Sequence, residues 1–356
     1  MNLKNAKLLT GEIVNIIVEN GKIATITTKD VENAYDCEGK TVIPGLIDIH
    51  THGCMGADTM EMDFETLCDS WAKHGTTSVY PTTMTMDIPS IRKVTEANFD
   101  VPGAEILGIH MEGPYINYNK KGAQNGKFVK EADIDEFESM EHLDIITMAP
   151  ECGDGANMEF VKKCKAVVQI GHTECDYDTA IEAINNGAIC LTHTYNAMPG
   201  LLSRAPGPIG AAIEKHIYAE CITDGLHVEK AAVLALYKAL GADRMIIISD
   251  SLRTTGLPDG EYMFGGQPIY MVDGVCRIKE GNLAGSTSYL FDCVKSANRM
   301  GIPFDECVRM ATLTPAEMMK ITDRKGRIAT GCDADILILD ANLDLEKVML
   351  KGEFYN

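Results

Sequence analysis

The feature that most constrains this chain is a recurrence. Eight short apolar runs each end in polar or glycine-rich residues: "PGLIDIHTH", "TTSVYPTTM", "AEILGIHMEGP", "LDIITMAPE", "KAVVQIGHT", "AICLTHTYNAM", "IYAECITDGLH" and "RMIIISDS". Most are separated by segments with helical spacing, such as "DYDTAIEAINNG" and "VEKAAVLALYKALGA". Short apolar runs bounded by turn residues read as buried strands, and strands alternating with amphipathic helices imply a parallel sheet. Eight such units predict a closed (β/α)8 barrel of the TIM type. A doubly wound open sheet is the competing architecture, but it does not predict a polar residue at every strand end.

The two ends of the chain carry a different period. "KLLTGEIVNIIVENGKIATITT" alternates and turns at Glu19-Asn20-Gly21-Lys22, the signature of a β-hairpin. "GRIATGCDADILILDANLDLEKVMLKGEFYN" reads the same way, with its turn near Lys351-Gly352. The expectation is an α/β chain in which residues 1–43 and 326–356 meet as a small β-sandwich domain, flanking a barrel over 44–325.

Composition narrows the function class. With 356 residues, 45% of them hydrophobic and 24% charged, the chain has the make-up of a globular enzyme. A net charge of −20 argues against a nucleic-acid partner, which would need a basic patch. The twelve cysteines form no C-x-x-C pair and no regular framework. They predict free, mostly buried thiols in a reducing compartment, with a disulfide-stapled secreted protein as the alternative. No apolar run is long enough to span a bilayer, and the first twenty residues contain no continuous apolar core. A cytoplasmic protein without a membrane partner is expected.

In a barrel of this kind the chemistry sits at the C-terminal ends of the strands. His50 and His52 close the first predicted strand, Glu112 the third, His172 the fifth, His193 the sixth and Asp250 the eighth, and His227 follows the seventh. Residues i and i+2 of a strand share a face, so His50 and His52 form a chelating pair. Neutral imidazoles and carboxylates suit zinc and other divalent transition metals. The plainer reading of each is a histidine satisfied at a strand end, but that reading weakens when all of them fall at one mouth. His110, two before Glu112, reads as structural support; His74, His142 and His216 read as surface or packing residues.

The ordered set "PGLIDIHTHG", "GIHMEGPY", "GHT", "THTYNAMPGLLSRAPG", "TDGLHV", "SDS" and "LAGS" resembles the amidohydrolase superfamily, and within it the N-acetylglucosamine-6-phosphate deacetylases. The motifs span residues 42 to 290. Many amidohydrolases bridge two metals with a lysine on strand four, whereas "LDIITMAPE" has none and Glu112 stands ready to serve instead.

The resemblance implies that Glu112, His172 and His193 hold a divalent metal, zinc or another such as iron. It implies that Asp250 takes a proton from the attacking water and passes it to the leaving nitrogen. A carboxylate that merely caps local backbone donors is the alternative for Asp250. By the same resemblance the 6-phosphate is read by His227 and by Arg204 reaching across a homodimer interface, though Arg204 equally fits a plain surface charge. Ala123, Asn196, Ala197 and the backbone of Leu283, Ala284 and Gly285 would contact sugar and phosphate. The chain keeps both His50 and His52, which some members lack, so one or two metals per subunit are implied. It carries Gln124 where many members have a histidine, which puts in doubt a carbonyl-polarising side chain there.

The activity implied is hydrolysis of the acetamide of N-acetylglucosamine 6-phosphate. The galactosamine isomer, another amidohydrolase acting on a cyclic amide or N-acyl amino acid, and a non-catalytic scaffold with a structural metal are the other readings. Only the first two need a phosphate site, and only a scaffold has no use for Asp250.

Overall fold

The computed structural model describes residues 1–356. All eight predicted barrel strands form: Leu46–Thr51, Thr76–Thr83, Ile109–Glu112, Leu143–Met148, Val167–Ile170, Ala188–Leu191, Tyr218–Ile222 and Met245–Ile248. Consecutive strands pair in parallel from the first to the eighth. The seam between the eighth and the first is closed just above the strands, where Asp250 N donates to His50 O at 2.9 Å and His52 N donates to Ser251 O at 2.8 Å. Between strands run the helices, among them Tyr177–Asn185, capped by the Asp176 side chain, and Lys230–Leu240.

Strand alternation sorts the side chains. Met111, Ile146, Met148, Val168, Ile170, Leu191, Ala219, Cys221, Met245 and Ile247 join the large core shared with the helices. Ile145, Cys190, Ile222, Ile246 and Ile248 pack in a separate interior cluster with Ile47, Ile49 and Tyr80, closed off by Ala316 and Met318. Above part of that cluster lies a buried polar layer. His110 Nε2 meets Thr147 Oγ1 at 2.8 Å, Thr147 meets Thr192 Oγ1 at 2.7 Å, and Thr192 reaches the Gln169 amide at 3.0 Å.

The termini form the expected second unit, built as one continuous eight-stranded sheet rather than two separate ones. Both hairpins turn where the sequence indicated, between Ile13–Glu19 and Lys22–Thr27 and between Leu345–Leu350 and Glu353–Tyr355. The sheet folds back on itself, since Ile23 N donates to Cys332 O at 2.8 Å and Ala334 N to Gly21 O at 2.8 Å. It encloses its own core of Leu3, Val14, Ile16, Ile23, Val42, Ile336 and Ile338. The alternate residues Ile43, Leu337 and Leu339 face the barrel's core instead. Strand Thr41–Pro44 passes to the first barrel strand across Gly45 alone, where a Cβ would sit 2.1 Å from Thr77 Oγ1. Only glycine permits that approach.

One element has no counterpart in the sequence reading. Between the eighth strand and helix Leu290–Met300, the strands Gly260–Phe264, Gln267–Val272 and Val275–Ile278 form a three-stranded antiparallel sheet. Its turns at Gly265-Gly266 and Asp273-Gly274 have positive φ at both positions, which is the type I′ hairpin signal.

Candidate active site

The backbone kinks as it leaves several strands, and the kinks aim side chains into the mouth. His172, His193 and Asp250 have φ of 46°, 26° and 47°. Left-handed backbone at a non-glycine residue costs free energy, and such positions cluster at functional sites. The result is a cleft of about 380 Å³ bordered by His52, Glu112, His172, His193, His227 and Asp250. His50 lies fully buried beside them.

Glu112 is the centre of the group. Its Oε1 lies 3.0 Å from His172 Nε2, 3.0 Å from His193 Nε2 and 3.4 Å from His50 Nε2. Its Oε2 lies 3.2 Å from His52 Nε2. Asp250 Oδ1 faces the same pair, 3.4 Å from His52 Nε2 and 3.7 Å from His50 Nε2. No Lys or Arg side chain forms an ion pair with either carboxylate.

The other ring nitrogens set the tautomers. His172 Nδ1 donates to Lys120 O at 2.7 Å, His52 Nδ1 to Thr82 O at 3.0 Å, and His50 Nδ1 to Glu220 Oε2 at 3.0 Å. In the neutral rings each Nε2 therefore presents a lone pair toward the Glu112 carboxylate. Lone pairs and a carboxylate converging at such distances repel unless a cation lies among them. Without a metal, protons take that place. Burial opposes a charge on His50, yet Glu220, Glu112 and Asp250 hold its pKa well above the ordinary value, and that of His52 is pushed to about 9 by Asp250 and Glu112 against the same burial. Burial likewise opposes ionised Glu112, which the surrounding imidazoles nonetheless hold well below the usual carboxylate range.

The donor set fits a divalent metal. His50–His52–Glu112 and Glu112–His172–His193 each bring their ligand atoms within 4.8 Å of one another, and the two groups share Glu112. Glu112, common to both groups, could serve a cation held by either. Strand four carries no lysine there, so nothing competes with Glu112 for that place.

His110 belongs to the support. Its Nδ1 meets Ile49 O at 2.9 Å and its Nε2 meets Thr147, and burial beside His50 keeps it neutral. His74 stacks on Tyr289 with ring centroids 3.6 Å apart, His216 ends helix Gly207–Lys215, and His142 lies edge-on to Phe99. None of the three reaches the mouth.

On the far side of the cleft, His227 Nδ1 meets Asp224 Oδ2 at 2.7 Å. Burial works against its charged form, but Asp224 outweighs this and raises its pKa. Ala123, Asn196, Ala197, Leu283, Ala284 and Gly285 all border the cleft. Gly285, at φ 143°, must be glycine, because a Cβ would lie 2.7 Å from Leu252 Cδ2. Gln124 borders it too, donating from its amide to Glu112 Oε2 while its Oε1 accepts from Thr85 N at 2.7 Å. Arg204 is not brought in. It is exposed on the loop after strand six and outside its own chain's cleft, beside the exposed Leu201 and Leu202.

Two contributions escaped the sequence reading. Phe264 of the three-stranded sheet covers the cleft, its ring 5.5 Å from that of His52. Glu220, on strand seven, lies beneath the histidines. A glutamate inside the apolar run "IYAECI" was the available signal.

The amidohydrolase family model matches residues 41–354. An N-acetylglucosamine-6-phosphate deacetylase of Vibrio furnissii is 34% identical over 96% of this chain and 90% of its own length. An N-acetylgalactosamine-6-phosphate deacetylase of Escherichia coli O157:H7 is 32% identical over 94% of this chain and 93% of its own. The structure of a substituted Mycobacterium smegmatis N-acetyl-D-glucosamine-6-phosphate deacetylase, in complex with N-acetyl-D-glucosamine 6-phosphate, superposes with a TM-score of 0.90 at 28% identity, covering 100% of this chain and 99% of that one. With the family model spanning barrel and flanking sheet alike, and relatives above 30% identity along nearly the whole length, this chain belongs to the amidohydrolase family.

Proposed function

We propose that this protein hydrolyses the acetamide of N-acetylglucosamine 6-phosphate, releasing glucosamine 6-phosphate and acetate. The observation that carries the reading is Asp250, a carboxylate facing a cation-seeking His/Glu cluster in a cleft whose other side offers the His227 imidazole, paired with Asp224 at 2.7 Å. The chemistry a divalent ion supplies when bound is Lewis acidity, which polarises an amide carbonyl and lowers the pKa of water toward about 7. Glu112, His172 and His193 would hold one ion, with His50, His52 and the shared Glu112 holding a second. Zinc suits this nitrogen and oxygen donor set.

Asp250 has the position and charge for proton transfer. Burial alone would raise its pKa, but His50 and His52 outweigh this and lower it, so it is ionised and ready to accept a proton from water. The proton then passes to the leaving nitrogen, which must depart as an amine. His227, whose charged form is favoured by Asp224 against the opposing effect of burial, is assigned to the 6-phosphate, while Asn196, Ala197, Ala123 and the 283–285 backbone orient the sugar. Arg204 is assigned to the phosphate of a partner copy, because its exposed loop with Leu201 and Leu202 suits an interface between two chains. Residues 1–43 and 326–356 are assigned to a supporting domain and 44–325 to the catalytic barrel. The twelve cysteines are all free and ten are buried, which supports a reducing cytoplasm, and no helix is long and apolar enough to cross a membrane.

The galactosamine isomer is a second reading, supported by the 32% identity to the E. coli O157:H7 relative. Turnover of both phosphosugars and of unphosphorylated N-acetylglucosamine, with metal analysis on the same preparation, tests the proposal. Phosphate-dependent turnover with close to two metal equivalents per chain is expected, falling to one in a His50→Ala/His52→Ala double variant. Equal activity on the unphosphorylated sugar would remove the phosphate site, and an unchanged metal content would remove the pair as ligands.

A further inference from the structure

Each of three histidines at the mouth donates a hydrogen bond from Nδ1–H to a partner, but the partners differ. For His172 and His52 the partner is a neutral backbone carbonyl, of Lys120 and Thr82. For His50 it is the carboxylate of Glu220, at 3.0 Å.

Glu220 is wholly buried, and its strand neighbours Ala219 and Cys221 are apolar and buried. No lysine or arginine pairs with it; His50 alone does. The same Oε2 that holds His50 also accepts from the backbone N of His193 at 3.0 Å, and Oε1 has no hydrogen-bond partner. A buried carboxylate without a fixed counter-charge is costly, so its presence calls for positive charge close by. The path to that charge is the His50 ring, whose Nε2 also lacks a hydrogen-bond partner and lies 3.4 Å from Glu112. Neighbouring His110 does not supply it, because its burial, together with the adjacent His50, disfavours its charged form.

We propose that Glu220 is the positioning residue of the His50–His52–Glu112 half of the centre. Its carboxylate fixes the His50 tautomer and adds the negative charge that lets this half hold its own cation. A carboxylate behind a ligating imidazole raises the ring's basicity, and losing such a partner costs about 10–100-fold in metal affinity. Through the amide of His193, Glu220 also ties strand seven to the other ligand group. The inference rests on the two-cation reading above.

The test compares the unsubstituted chain with Glu220→Gln, which keeps the shape and removes the charge. Both are stripped, reloaded with Zn2+ or Mn2+, and dialysed. The unsubstituted chain is expected to hold two equivalents. The variant should hold one firmly, with the second ion bound about 10–100-fold more weakly and the spin coupling between paired Mn2+ ions lost. The retained first equivalent certifies the fold. If Glu220→Gln does not fold, Glu220→Met, uncharged and of similar length, serves the same comparison. Two equivalents with unchanged dissociation constants in the variant overturn the role of Glu220 alone. One equivalent in the unsubstituted chain overturns the two-cation reading and this proposal with it.

Discussion

The two ends of the barrel both bury charge, in opposite ways. At the end away from the mouth, Lys325 is almost fully buried and its ammonium lies 2.7 Å from Asp335, 2.8 Å from Glu105 and 3.1 Å from Asp333. Arg324 adds contacts to Glu105 at 2.6 Å and Asp333 at 2.9 Å. Cations and anions there come from the same chain and satisfy one another, joining the barrel to the terminal sheet. At the mouth, Glu112, Asp250 and Glu220 gather with imidazoles, and no lysine or arginine pairs with any of them. One cluster is complete in the folded chain and acts on stability, while the other is completed by a cation from outside and acts on chemistry.

The largest expected effect separates the two. Asp250→Asn should lower turnover by roughly 10²- to 10⁴-fold, since an amide accepts no proton from water. Metal content and thermal unfolding should stay close to the parent's. Near-normal turnover in a folded, metal-loaded variant would take Asp250 out of the mechanism.

Lys325→Ala asks the converse. It strands buried carboxylates and should cost about 3–5 kcal/mol of stability by denaturant titration, with kcat per folded molecule unchanged. Burial works against ionised Glu105 and Asp333, but Lys325 outweighs it and lowers both pKa values; Lys325 itself is raised by its carboxylates. A lowered carboxylate contributes stability that is present above its unfolded pKa and drains as pH falls. A raised lysine contributes below its unfolded pKa and loses this as pH climbs. The cluster should therefore hold its contribution between about pH 4 and pH 10. An alanine variant with the parent's acid limb, or one that loses metal, would break the contrast.

Arg204→Ala should cost roughly 1.5–3 kcal/mol in kcat/KM for the phosphosugar and much less for the unphosphorylated one. Mixing Arg204→Ala with Asp250→Asn chains should regain activity through hybrid dimers. Equal losses on both sugars would leave Arg204 a surface charge. The smallest effect is a pH trend. His227 has a raised pKa, so its contribution to phosphate binding is present at low pH and lost as pH rises through that value. KM should then rise severalfold on the alkaline side in the parent and stay level in His227→Asn.

The period of the chain was enough to locate all eight barrel strands and both terminal hairpins, because burial on two faces demands continuous apolar runs and a hairpin demands its turn residues. The polar residues at the ends of those runs were enough to bring His50, His52, Glu112, His172, His193 and Asp250 to one place, since a barrel of this type collects its strand ends on one face. Tertiary structure decided what depends on distance. That Glu112 sits between two histidine groups, that His110 supports while His50 points in, and that Glu220 stands behind His50 all follow from strand register and stagger, which a linear pattern does not contain. The glutamate in "IYAECI" was visible as an oddity, but which neighbour it serves depends on residues 27 and 170 positions away. The sheet over the mouth carried its Gly-Gly and Asp-Gly turns in plain view, yet only packing of Phe264 against His52 gives it a place in the site. Arg204 marks the limit in the other direction, for it is exposed and does not border its own chain's cleft, and the linear pattern alone does not say what it meets.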